Sequence, residues 1–416
     1  MKLIKIIANN YKGYSSLELN LNTLNVLIGK NGSGKSTVTR LIPLIISSLN
    51  HSDLGPLNLN IPGIDIGGRF SDLSKNQRES STITLGASFK MSSYVVSFTT
   101  SLIHDNELKK IIVKSFLLEI DNEVEIDVEL CLEESTDIDP NLFYDNLTSS
   151  KIILSFSGLL PSIVGDFIEN KIKQNDILKG FFVQTTIIPN RVSYLGPFRA
   201  PLKRVYQYNQ GILNIGPQGE SAPYIFCNDK NEKTGILQQE LKEWMVENFE
   251  GKYITVKQYE FGFSLNVNKN SLENNIVDDG VGFSQFFPLL INRLSRRGAD
   301  NNSIEIVEQP ELHLHPAACG TIADLYLTSL ENNNNTILLE THSKEILLRL
   351  RRRIAESKDS DIHNGVNIIY TSNTQDTCEI DYITVNKSGE LDWWPEGVFE
   401  ESFEEVVAIS EANHAD

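Results

Sequence analysis

The sequence predicts an α/β protein with a mixed sheet, an antiparallel β subdomain and a helical/β lid lobe. Three observations predict it. Gly29-Lys-Asn-Gly-Ser-Gly34-Lys35-Ser36-Thr37 matches G-x-x-x-x-G-K-[ST] between an alternating strand pattern (Leu24, Val26, Ile28) and a helical run from Lys35 to Leu49. From Ser81 to Glu134, short polar turns separate alternating apolar runs, the pattern of antiparallel hairpins. From Val277 onward helices and short apolar strands alternate, the rhythm of a parallel sheet covered by helices.

Leu3 to about Asn50 reads strand, strand, loop, helix, with Pro43 expected to interrupt and kink that helix after about two turns. The hairpin strands are Thr82–Phe89, Tyr94–Phe98, Ile111–Ile120 and Val124–Leu132. A mixed segment follows, with helices expected over Ser162–Ile172 and Ile236–Phe249. The last stretch reads as helix Ser284–Arg297, strand Ile304–Val307, helix Ala317–Leu330, strand Thr336–Glu340, helix Lys344–Ile354 and strand Val366–Tyr370. At 416 residues the chain exceeds one ordinary core. A site built from both ends requires them to share a sheet. Residues 1–135 and 300–416 would then form a core lobe with the antiparallel β subdomain, and 136–299 a lid and signature-helix lobe.

The net charge of −18 argues against a protein coated in positive potential. Arg349, Arg351, Arg352 and Arg353 nevertheless share one expected helix, and Arg293, Arg296 and Arg297 end another. Such runs are more often solvated or partner-facing surface, with nucleic-acid contact the alternative. No apolar stretch of roughly 18 residues occurs, and Met1-Lys-Leu-Ile-Lys-Ile-Ile enters a strand pattern directly, so a cytoplasmic protein without a membrane partner is expected. Cys131, Cys227, Cys319 and Cys378 form no CxxC pair and read as reduced thiols.

The glycines of the loop, Gly29, Gly32 and Gly34, let the backbone N–H groups around Asn31 and Ser33 curl about a polyphosphate, which also meets the positive end of the following helix. Lys35 is placed to reach the β- and γ-phosphates and the Ser36 hydroxyl to ligate Mg²⁺. The expected ligand is a nucleoside triphosphate. Strand Ile304–Val307 ends in Glu308, a carboxylate suited to the metal side of such a site, and runs on through Gln309, Pro310 and Glu311 to His313 and His315. The two histidines lack the i, i+4 spacing of H-E-x-x-H, and a structural role in the turn is favoured over a metal. Strand Thr336–Glu340 ends in Glu340-Thr341-His342, with His342 poised at the carboxyl edge as a γ-phosphate sensor. Asp278-Asp279-Gly280-Val-Gly-Phe-Ser284-Gln285 opens a further helix, Ser284 its expected cap. Two phosphate-binding helix starts in one chain suit a symmetric dimer in which each copy completes the other's site.

Together these residues resemble the ABC-type ATPases of the RecF/SMC-like group, and more closely the compact bacterial AAA-type ATPases related to the overcoming-lysogenization-defect proteins. The likeness is carried by Ile7–Lys12, Gly29–Thr37, Tyr194–Pro201, Gly280–Gln285, Glu308–Pro316 and Glu340–Ser343. Trp394–Phe399, followed by an acidic helix, resembles the tail of one branch. The resemblance implies a P-loop ABC-type ATPase head using ATP and Mg²⁺. Gly34, Lys35, Ser36 and Thr37 would bind phosphate and metal, Glu308 would be the Walker B carboxylate, and His342 the switch histidine. Ser284 and Gln285 would be the signature acting in trans, Gln77 a Q-loop candidate, Lys12 a further nucleotide contact, and Arg199 and Arg204 lid residues. It also implies a homodimer or larger assembly working beside a separate effector such as a nuclease, in phage defence or DNA repair.

Two departures matter. The residue after the Walker B carboxylate is normally a Glu that activates water, and here it is Gln309. An amide orients water but cannot take its proton, so either hydrolysis is slow or Glu308 or Glu311 serves as base. The alternative to an enzyme is therefore a nucleotide-gated binding module. Relatives also carry a Toprim nuclease or long coiled coils, and with about 74 residues after His342 and no heptads neither is expected here. A membrane-transporter subunit fits poorly, because Val281-Gly-Phe-Ser-Gln285 stands where LSGGQ would.

Overall fold

Every residue of the strand Leu24–Gly29 is buried, as befits a strand covered on both faces. The computed structural model describes residues 1–51, 55–131, 139–209, 211, 214–232, 235–296, 302–331, 334–357, 361–374 and 377–399. Strands β1 (Lys2–Tyr11), β2 (Tyr14–Asn20) and β3 (Leu24–Gly29) lead into helix α1 (Lys35–Ser47). After the short α2 (Phe70–Leu73) come β4 (Ile83–Met91), β5 (Tyr94–Asp105), β6 (Lys110–Ile120), β7 (Glu123–Leu130), β8 (Leu142–Asp145), β9 (Ser150–Ile153), β10 (Phe156–Ser157) and β11 (Leu160–Pro161). Then follow α3 (Asp166–Gln174), α4 (Asp176–Ile187), β12 (Val192–Leu195), α5 (Ala222–Glu232), α6 (Ile236–Asn248), β13 (Tyr253–Tyr259), β14 (Gly262–Lys269), β15 (Leu272–Asn275) and α7 (Val281–Leu294). The chain finishes with β16 (Ile304–Glu308), α8 (Pro316–Leu327), β17 (Thr336–Glu340), α9 (Lys344–Glu356), β18 (Val366–Thr374) and β19 (Thr377–Ile383).

Two sheets dominate. One is antiparallel throughout, in the order β2-β1-β4-β5-β6-β7-β8-β9. The other runs β12-β16-β17-β3-β18-β19, parallel except for the edge strand β19, so β3 from the start of the chain lies between two strands from its far end. Alternation along these strands sorts their side chains between two cores. Ile304, Ile306, Leu338 and Ile369 pack with Val38, Leu41 and Ile42 of α1 and with the antiparallel sheet. Val307, Ile337, Leu339 and Ile368 pack on the other face with α7, α8 and α9. The alternation carries Glu308 and Glu340 onto the α1 side.

Several boundaries differ from the sequence reading. Pro43 does not interrupt α1, which continues to Ser47. One lost ladder bond is outweighed by the buried Leu41, Ile42, Leu44, Ile45 and Ile46 around it. The division at residue 135 falls inside a sheet, since β8 and β9 extend the antiparallel ladder beyond it, and β12, from the middle of the chain, hydrogen-bonds to β16. Helix α3 begins at Asp166 rather than Ser162, and α7 begins at Val281, so Ser284 lies inside its first turn and Gly280 takes the cap position, without a side-chain cap bond. Arg297 and the acidic helix expected after Phe399 lie outside the described residues.

Helix α7 is bolted to β16 through a fully buried ion pair. Arg293 lies 3.6 Å from Glu305, whose other oxygen accepts from Asn292 at 2.8 Å and Tyr326 at 3.0 Å. Removing one partner of a buried pair strands the other charge. Glu305→Ala is therefore expected to lower the unfolding free energy by about 3–5 kcal/mol, read as the urea midpoint of the full chain. A midpoint within error of the wild type would contradict this account of the pair.

Candidate functional site

The phosphate loop is shaped by close approach. A side chain on Gly29, at φ 154°, would meet the carbonyl and hydroxyl of Thr371 at 2.4 Å, and Gly34 turns at φ 95° with the Tyr14 hydroxyl beside it. Ser33 Oγ and Thr371 Oγ1, 2.6 Å apart, tie the loop to β18, and Asn373 Nδ2 reaches Gly32 O at 3.5 Å. Lys35 is buried, and its ammonium donates to the carbonyls of Gly29 and Lys30, each at 2.8 Å. Burial lowers its pKa, while the Glu340 carboxylate opposes that shift. Asn31 and Gly32 are exposed at the loop's crest, and Ser36 and Thr37 are half-buried at the helix start.

Glu308 ends β16 beneath this loop. One carboxylate oxygen accepts from the Tyr194 hydroxyl at 2.7 Å and from the hydroxyl of Thr39, one turn along α1 from Ser36. Arg40 in turn hydrogen-bonds Tyr194. Arg199 is buried against the end of the same strand, donating to Glu308 O at 2.8 Å and Gln309 O at 2.9 Å. Burial brings its pKa down to about 10. It clasps the backbone rather than facing a lid.

Gln309 adopts φ 44°, a left-handed conformation unusual for this residue type, with its N–H donating to Glu340 O at 2.8 Å. Glu340 is buried, and burial followed by the neighbouring Glu308 charge pushes its carboxyl up to about 7. Glu311 accepts the His342 N–H at 2.6 Å, and burial raises its pKa. Burial and then Lys35 lower that of His342, favouring a neutral imidazole. Ser343, which follows, caps α9 by accepting from Ile346 N at 3.3 Å. Lys35, Glu308, Gln309, Glu311, Glu340 and His342 thus gather at the carboxyl ends of β3, β16 and β17.

Other expected site residues lie apart. Ser284 and Gln285 sit in the first turns of α7, Gln285 buried, where Phe283 and Phe286 stack with Phe249. Arg204 grips Asp278 with both guanidinium nitrogens, at 2.9 and 2.6 Å, and Lys252 holds Asp279 at 2.8 Å, so the acids before α7 are paired. Gln77 is exposed, at φ 54°, on a turn tied to β1 through the Tyr11–Ser74 bridge. Lys12 is half-buried over the Tyr11 ring, and burial followed by Arg40 lowers its pKa. His313 is exposed, and among the described residues no cluster of three or more metal-binding side chains occurs. Sequence reasoning missed Thr39, Tyr194 and Thr371 as site residues. Only Tyr194, which opens the motif Tyr194–Pro201, carried a local signal.

The oxygen donors suit a hard divalent cation: the Ser36 hydroxyl and the Glu308 carboxylate stand beside the buried Glu340 and the half-buried Glu311, so the pocket carries surplus negative charge. A glycine loop, an ammonium and a strand-end carboxylate in this order on a parallel sheet define a P-loop nucleotide-binding protein. Residues 1–191 and 217–347 match the AAA ATPase domain family, and the chain belongs to it. The fold is that of SMC heads. An Smc head solved with the C-winged helix domain of ScpA aligns over 92% of this chain and 98% of its own, with TM-score 0.53 and 11% identity. The SMC head of Thermotoga maritima covers 92% and 100% with TM-score 0.46 and 9% identity, and a Pyrococcus furiosus Smc head 98% and 99% with 0.47 and 11%. No curated protein matches in sequence. No described helix is long and apolar enough to cross a membrane.

A methyl group at Gly29 has no room beside Thr371. At about 1–3 kcal/mol of strain, Gly29→Ala is expected to weaken nucleotide affinity roughly tenfold or more. Titration with a fluorescent ATP analogue reads this directly, and unchanged affinity would show that the loop relaxes freely.

Proposed function

We propose that the protein binds Mg²⁺-ATP between two copies of itself and hydrolyses it, and that closure and reopening of this homodimer control a separate effector. The observation that carries the reading is the gathering of Lys35, Glu308 and His342 at the carboxyl ends of adjoining parallel strands, the edge where α/β sheets bind ligands. Lys35 would exchange its loop carbonyls for the β- and γ-phosphate oxygens, with the amides of Asn31, Gly32, Ser33 and Gly34 to Thr37 cradling the chain of phosphates. Ser36 and Glu308 would hold Mg²⁺, which supplies charge neutralisation on those oxygens. His342, oriented by Glu311, would meet the γ-phosphate. Ser284 and Gln285 of the second copy would cap it from across the interface, with the Arg204–Asp278 fork fixing the start of their helix. Gln77 and Lys12 complete the proposed nucleotide contacts, and residues between the two halves of the core act as lid. An effector such as a nuclease, in phage defence or DNA repair in the cytoplasm, fits this gating, and dimers could stack further.

Gln309 favours a second reading, a nucleotide-held clamp that scarcely turns over. Steady-state ATP hydrolysis by the purified chain, with and without DNA, separates the two. Turnover is expected in the wild type and at background in Lys35→Ala, and equal rates in both would sink the enzyme reading. A large gain in Gln309→Glu supports the clamp, and a loss supports an enzyme built around the amide. Light scattering is expected to show roughly twice 46.8 kDa with ATP and Mg²⁺, and a monomer under those conditions would refute the dimer.

A further inference from the structure

We propose that Glu340 holds the attacking water for cleavage of the γ-phosphate, filling the role that the amide at position 309 leaves vacant. The proposal rests on the hydrolytic reading above. The parallel register pairs Ile306 with Leu338 and Glu308 with Glu340, so the second carboxylate stands directly beside the first on the α1 side of the sheet. Glu340 is 2% exposed, and among the described residues its Oε2 has no hydrogen-bond partner. A buried, unpartnered carboxylate oxygen is costly, and nothing in the packing of the fold requires one at the end of β17.

Each neighbouring acid has at least one oxygen engaged. Glu308 accepts from Tyr194 and Thr39, and Glu311 accepts from the His342 N–H. Glu311 likewise leaves its Oε2 without a partner, but Glu340 is the acid whose charge acts on Lys35. Its backbone carbonyl also receives the Gln309 N–H, fixing the two positions relative to each other. A carboxylate only accepts hydrogen bonds, so a water donating to it turns an oxygen lone pair outward, toward phosphorus. An amide at the same place can also donate and leaves the water's orientation undecided. In the step, the water oxygen forms a bond to the γ-phosphorus while the bridging P–O bond breaks with its electron pair leaving on ADP. Both of the water's protons end on the released phosphate, one kept on the attacking oxygen and one passed to a neighbouring phosphate oxygen, so that dihydrogen phosphate leaves.

The test uses the full chain and four proteins: wild type, Glu340→Ala, the isosteric Glu340→Gln, and Glu340→Ala combined with Gln309→Glu. Turnover is measured beside the affinity for a fluorescent ATP analogue and the thermal midpoint. Glu340→Ala is expected to lower kcat about 100-fold, the scale of a misplaced reactant, with affinity within about threefold. The added Gln309→Glu is expected to restore at least about tenfold of the loss, a rescue that a merely structural role for Glu340 would not allow. If Glu340→Ala fails to fold, Glu340→Gln decides alone, with a loss of at least about tenfold expected. Turnover that survives substitution, or falls only in step with nucleotide affinity, overturns the proposal. Absence of turnover in the wild type instead overturns the enzyme reading itself.

Discussion

The pairing of β3 with β17 and β18 is the constraint on which the site depends. Leu24 lies opposite Ile337 on one side and Val366 on the other, so a loop some thirty residues from the start of the chain is anchored between strands from its end. Without that pairing the phosphate loop would have no floor. Thr371 on β18 locks Ser33, and the end of β17 brings Glu340 toward Lys35. The register also decides the chemistry. Because side chains alternate, a slip of one residue would turn Glu340 away from α1 and send Leu339 into the phosphate site.

The same reasoning explains what sequence could and could not read. The phosphate loop was legible because its signal is local: an alternating strand, glycines, a lysine and a helix within one stretch. The polar ends of β16 and β17 were legible because an acid closing a short apolar run stands out. Thr371, Tyr194 and Thr39 were not, because their partners lie 338, 114 and 269 residues away in sequence. Helix α4 escaped notice since Phe181, Phe182, Val183, Thr185 and Thr186 suit a strand as well, although Asn175, whose side chain accepts from Ile177 and Leu178 N–H, marks its start. Ser284 was misread as a cap because the glycines before it favour the turn that α7 in fact overruns.

Charge runs also changed meaning once folded. The arginines of α9 are spent within the protein: Arg349 and Arg353 on Asp324, Arg352 and Arg353 on Glu356, and Arg351 on Gly389 O. Arg296 is half-buried and bonded to Asn292 and Arg191 O, and Arg293 is sealed against Glu305. Of these, Arg352 stays the most exposed, held only by a surface pair one helical turn away. With a net charge of −18, contact with nucleic acid through these surfaces has little electrostatic drive.

The acid surplus in the site sets the form in which ATP can enter. Glu308 and Glu340 lie buried and Glu311 half-buried around Lys35, with Arg40 the next cation. A bare triphosphate would bring like charge into that pocket, and the carboxylates would have to be neutralised or the ligand repelled. A divalent cation removes the conflict on both sides at once, joining the strand-end carboxylate to the phosphate oxygens. On the proposed reading the metal is therefore a condition of tight nucleotide binding as well as of cleavage. The Arg293–Glu305 pair gives the same strand a mechanical link to the helix that carries Ser284 and Gln285. On the proposed reading, the strand that carries Glu308 is thereby joined to the helix that a second copy would meet.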